Sequence, residues 1–191
     1  MELALSICLG IGLSAACGFR VFVPLLGMSV AALAGHLGLS HGFEWIGTWP
    51  ACACFLTATA LEVAAYYIPW VDNLLDSVAT PAAVVAGTII MAAVVSDMSP
   101  LMRWSLALIA GGGTAGVIQA TSVALRGTSS VTTGGLANWI VASGELAVSV
   151  GTTVLSVLLP ILTALAVATL IVALVVLLRR HRRPFSKLKV A

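Results

Sequence analysis

Apolar residues fill this chain in long uncharged blocks. Five of them run roughly over 3–37, 51–69, 80–98, 101–125 and 140–178, separated by "SHGFEWIGTWP", "WVDNLLDSVAT", "DMSP" and "GTSSVTTGGLANW". A helix crossing the ~30 Å hydrocarbon core of a bilayer takes about 20 apolar residues, so these blocks predict membrane spans. The two outer blocks are too long for a single crossing. The 33 uncharged residues between Glu145 and Arg179 would reach about 50 Å as one helix. Each outer block also carries a break signal. In the first, Gly18, Arg20 and Pro24 crowd "AACGFRVFVP"; in the last, Pro160 accompanies Gly151, and proline removes a helix hydrogen bond and clashes with the preceding turn. Each long block therefore predicts a helical pair, a re-entrant hairpin or a broken helix. The fold expected is all-α and polytopic, with about six or seven helical segments.

Tryptophans support these boundaries, since Trp45, Trp49, Trp70, Trp104 and Trp139 all fall at block ends, where aromatic belts sit. An internal echo runs through the chain as well. The glycine-rich segments "GIGLSAACGFRVFVPLLG" and "GGGTAGVIQATSVALRG" are each followed by one glutamate among small residues, "TALEVAA" and "ASGELAV". That order is the kind left by an inverted repeat with a site at the repeat interface.

Composition agrees with the pattern. A hydrophobic share of 60%, a charged share of 8% and a mean hydropathy of +1.12 place the chain among integral membrane proteins. Charge adds an orientation. Six of the nine basic residues lie in "RRHRRPFSKLKVA", which predicts a single transmembrane domain over 1–178 and a basic cytoplasmic tail over 179–191, in a bacterial inner membrane. Such a tail can also hold anionic lipid, at about 1 kcal/mol per basic residue. Cys8, Cys17, Cys52 and Cys54 fall in or beside apolar blocks and read as small hydrophobes rather than a disulfide framework. The opening stretch reads as a first membrane segment, because Glu2 stands where a signal peptide wants positive charge.

Few residues are left to carry chemistry. An ionised group at mid-bilayer costs about 2.5–3.5 kcal/mol, so Arg20, Glu62 and Glu145 are expected to face the interior, pair or line water. Arg20 is the natural counter-charge for Glu62. Asp72 and Asp76, four apart in "VDNLLD", share a helix face and have the spacing to hold Mg²⁺ against a phosphate, but no second acidic cluster or basic pair accompanies them. The "GGGTAG" at 111–116 follows no strand, and its Gly112 and Gly116 give the spacing that lets membrane helices approach closely. His36, His41, Cys52 and Cys54 match no metal-ligand template. No HExxH, GxSxG or P-loop occurs, so no catalytic residue, metal or cofactor is indicated. The polar "TSSVTTGGLAN" is a loop or the lining of an entrance.

The segments "CGFRVFVPLL" (17–26), Glu62 followed by "YIPWVDNLLD" (67–76) and Pro81, and "GGLANWIVASGE" (134–145) together resemble the bacterial membrane proteins grouped as domain of unknown function 4126. In that family the stretch after the glutamate often reads aspartate-lysine-isoleucine-proline-glycine, with an arginine-proline pair beyond. Here Tyr66 and Tyr67 replace the charged pair and Thr80 precedes Pro81. The resemblance implies a fold and the positions Arg20, Glu62, Asp72, Asp76, Asn138 and Glu145, without an activity.

The leading expectation is a small transporter- or channel-like protein whose intramembrane Glu and Arg bind a proton, cation or small polar substrate. The alternative is a non-catalytic scaffold or accessory subunit that binds lipid or a larger membrane complex. A membrane enzyme acting on a lipid or isoprenoid phosphate through Asp72 and Asp76 ranks third. The partners expected are membrane lipids and a second copy or a larger complex, and not nucleic acid.

Overall fold

A computed structural model describes residues 2–96, 98–133 and 138–181, without the side chains of residues 69, 70, 72, 73, 76, 133, 178, 180 and 181. Asp97, the "GGLA" of the polar stretch and the basic tail beyond His181 lie outside the described residues. Among the described residues seven long helices make up the fold, α1 (Glu2–Cys17), α2 (Phe22–Leu33), α3 (Trp49–Ala65), α4 (Pro69–Val94), α5, α6 (Asn138–Leu158) and α7 (Pro160–His181), with a 3-10 turn at Glu44–Gly47. The helix α5 runs continuously through Pro100–Leu106, Ala107–Gly112 and Gly113–Thr133, and its middle portion is π-helical. No strand occurs among the described residues.

The helix starts follow local chemistry. Thr48 caps α3 by accepting from the Ala51 N–H, and Ser99 caps α5 by accepting from the Met102 N–H. Proline opens α4 and α7 and stands in the first turn of α3 and α5, where its missing N–H costs nothing. One separator behaves differently from its sequence pattern, for "WVDNLLDSVAT" is helical and belongs to α4. Pro69 starts that helix, acidic residues are welcome in its first turns, and Pro81 is accommodated within it.

Among the described residues four segments are long and apolar enough to cross a membrane, lying in α4, α5, α6 and α7, which makes this a helical membrane protein. The first three helices are shorter. Their directions follow from what they touch. On α1, a Cβ at Gly10 would meet Met91 and Val94 of α4, whereas the Ser14 hydroxyl donates to the Gly87 carbonyl one turn earlier in α4. Likewise Gly12 faces Ser156 of α6, and the Ala16 carbonyl accepts from Ser149. So α1 runs antiparallel to both. The next helix, α2, runs parallel to α6, because Arg20 just before it meets Ala142 and Gly27 within it meets Thr153. Hence α1 and α2 form a re-entrant hairpin that enters and leaves by one face, with its tip at residues 18–21.

The core lies where this hairpin meets α4, around Leu13, Met28, Ile90 and Met91. Helix α1 touches α4, α5, α6 and α7 and so forms the axis of the bundle. Crossings are close. A Cβ at Gly87 would lie 2.7 Å from Ala115 Cβ and 2.8 Å from the Gly111 carbonyl oxygen, so α4 and α5 approach backbone to backbone.

Candidate functional site

Irregular backbone at membrane depth survives only where its polar groups find partners inside the protein. At the hairpin tip they do. The amides of Phe19 and Arg20 donate to the Ala16 carbonyl, each at 3.1 Å. The first amides of α2 point at a carboxylate: Glu62, delivered from the last turns of α3, accepts from Val21 N at 2.8 Å and from Phe22 N at 3.0 Å. Glu62 thus caps the half-helix from across the bundle, a favourable place for negative charge.

Arg20 occupies the tip itself and is 2% exposed. Its Nη2 donates to the Ala142 carbonyl at 2.8 Å and lies 3.8 Å from Glu145 Oε2. The Nε and Nη1 atoms of Arg20 have no hydrogen-bond partner among the described residues. Leaving a buried donor unsatisfied costs about 1–3 kcal/mol, more for a charged group. A second arginine completes the cluster. Arg126, on α5, bonds Glu145 through Nε at 3.2 Å and through Nη2, and the Ser122 hydroxyl bonds the same carboxylate. Both guanidinium groups lie over the ring of Tyr66, Arg20 at 3.7 Å and Arg126 at 4.1 Å from its centroid. Desolvated contacts of this kind are worth about 2 kcal/mol each.

The structure therefore gathers Arg20, Glu62 and Glu145 around one tip, but in an arrangement the sequence does not specify. Arg20 lies within ion-pair distance of Glu145, and the backbone of α2 holds Glu62. Ala142 lies four residues into α6, about 6 Å of rise from its start, so the cluster is level with the first turns of that apolar helix and not with its middle. Asn138 stands apart at the start of α6, where its Nδ2 donates to Ser130 Oγ at 3.1 Å. Asp72 and Asp76 fall in the first turns of α4, with side chains outside the described residues.

Sequence reasoning passes over Arg126, Ser122 and Tyr66. A signal was there to find. Gln119, Ser122 and Arg126 share one face of α5, and Glu145, Ser149, Thr153 and Ser156 share one face of α6; all seven are buried. Each helix thus turns a polar stripe inward and leaves its apolar side to the lipid.

Beside the cluster, between α3 and α4, lies a groove of about 430 Å³. Val21 and Phe22 from the hairpin, Leu61, Glu62 and Tyr66 from the α3 side and Ala79 from α4 are among its walls. Apart from Glu62 and Tyr66 the lining is apolar. A second, smaller pocket of about 280 Å³ lies between α1, α5, α6 and α7, near Phe19 and Thr163. Among the described residues no group of three His, Cys, Asp or Glu side chains is placed to hold a metal ion, and His36, His41, Cys52 and Cys54 do not assemble into one.

A family model described as domain of unknown function (DUF4126) matches residues 7–180. No curated protein and no solved structure matches the chain.

Proposed function

We propose that this chain, which belongs to the DUF4126 family over residues 7–180, is a small transporter- or channel-like protein of the bacterial inner membrane. Glu62 is the group that binds a proton, a cation or a small polar substrate. The observation that carries this reading is its position: an interior carboxylate on the wall of a groove, bonded to the first amides of a half-helix. Protonating or neutralising Glu62 weakens the cap on α2, so occupancy of the groove and the seating of the hairpin are coupled. Discontinuous helices serve transporters in this way. The basic tail puts the C-terminal end in the cytoplasm.

The test is flux of protons and small cations into proteoliposomes, against empty liposomes. Wild type is expected to conduct. Glu62→Gln, checked for folding by gel filtration, is expected to reduce flux at least tenfold, and Glu62→Asp to retain part of it. Equal flux in wild type and Glu62→Gln counts against the proposal.

A scaffold or accessory role is the second reading, and one observation favours it. Glu145 is held by Arg126, Ser122 and Arg20 in a buried, mutually bonded group. Such a lock pins helices without moving anything, and on this reading no flux above empty liposomes is found.

A further inference from the structure

We propose that the hairpin tip receives a phosphate group at the free Nε and Nη1 hydrogens of Arg20, and that the phosphate belongs to a lipid whose chain lies in the groove between α3 and α4. Arg20 is the starting point. A guanidinium has five N–H bonds, of which one on Nε and two on Nη1 are buried without a partner here. Buried polar groups with no partner call for one, and a phosphate oxygen is the acceptor that best matches a guanidinium. Carbonyl and carboxylate already occupy Nη2, so the edges that remain set where the ligand approaches.

The surroundings choose the carrier. The tip lies level with the first turns of α6, about 6 Å of rise from its start and so on the side of one leaflet, within reach of a headgroup that dips below the surface. Next to it, the groove is of a size that holds a ligand, about 430 Å³, and its walls are suited to an acyl or isoprenoid chain. Arg20 lies behind the groove and not in its lining: Tyr66 lines the groove and carries Arg20 on its ring, and Val21 lines it directly after Arg20 in the chain, so a headgroup reaches the arginine past the Tyr66 ring. Glu62 does not bar an anion, because its charge is already answered by two amides of α2.

This deepens the transport reading by naming a substrate class, and it rests on the same groove, but it is a statement about binding and is measured without movement. Delipidated full-length protein in detergent is titrated with dioleoyl phosphatidic acid, with dioleoylglycerol and with inorganic phosphate, and bound ligand is counted by native mass spectrometry. Phosphatidic acid is expected to bind at one site at least tenfold more tightly than dioleoylglycerol, and Arg20→Gln to remove that preference. Because loss of Arg20 can unfold the tip, Ala58→Phe provides a second arm. It fills the outer part of the groove and is expected to weaken phosphatidic acid about tenfold while leaving inorganic phosphate unchanged. Dioleoylglycerol bound as tightly as phosphatidic acid overturns the phosphate site, as does undiminished phosphatidic acid binding in folded Arg20→Gln. Inorganic phosphate bound without phosphatidic acid overturns the lipid. Absence of flux together with lipid binding removes transport and leaves the site.

Discussion

Glu145 is the residue on which most of the buried charge converges, and this makes its neighbours unequal. Removing Arg126 takes the bonded cation from a buried carboxylate and leaves it with the Ser122 hydroxyl and with Arg20 at 3.8 Å, so Arg126→Ala is expected to destabilise the protein by about 3 kcal/mol in SDS-unfolding titrations. Replacing both partners, Arg126→Leu with Glu145→Leu, is expected to recover most of that loss, because no charge is then stranded. Tyr66 is the ring that both arginines lie over. Its aromatic face answers part of the positive charge of both. At this scale the sequence is readable wherever cost is high. Arg20, Glu62 and Glu145 stand out because a charge in an apolar block has to be explained. Arg126 escapes notice because it lies at the edge of a block and reads as a boundary, and only the inward stripe it shares with Gln119 and Ser122 betrays it.

At the scale of elements, breaks are legible and directions are not. Gly18, Arg20 and Pro24 mark the division of the first block, and Pro160 that of the last, because proline and glycine act through the backbone wherever they stand. Whether α2 continues across the membrane or turns back is decided by contacts far away in the chain, such as Gly27 against Thr153, which no local pattern encodes. The start of α4 is hidden for another reason: "WVDNLLDSVAT" is polar enough to look like a loop and yet carries the acids a helix start favours. The crossing of α4 and α5 gives a sharp test. A Cβ at Gly111 would collide with the Gly87 carbonyl and lie 2.7 Å from Met91 Cβ, whereas one at Gly113, two residues on, meets nothing within 4 Å. Gly111→Ala is therefore expected to destabilise by about 1–3 kcal/mol. Gly113→Ala is expected to be neutral or to stabilise by about 0.5–1 kcal/mol, since alanine is the better helix former. Thermal unfolding of the two variants in one detergent compares them directly.

For the whole molecule, the hairpin fixes which ends share a side. With α1 and α2 entering and leaving by one face, Glu2, His41 and Ser96 lie at that face and Thr132 at the other. Single cysteines at these four positions, in a background lacking the native four, are expected to react with an impermeant maleimide as three and one. Labelling of positions 2 and 41 from opposite sides would mean that the first block crosses instead of returning. Membrane class and helix number are legible from hydropathy, because the bilayer imposes a length on any helix that spans it. The number of crossings is not, since a hairpin and a kinked span have the same composition.

The tip also sets an order of assembly. Its amides at Val21 wait for Glu62, 41 residues later, and the Ala16 carbonyl waits for Ser149, 133 residues later. At about 5–20 residues per second of synthesis, the second wait lasts about 7–27 s. Throughout it the tip lacks one of its partners, and Arg20 lacks Ala142 and Glu145 for nearly as long. The tip is complete only once α6 has been made, although α1 can meet α4 earlier, through Ser14 and Gly87.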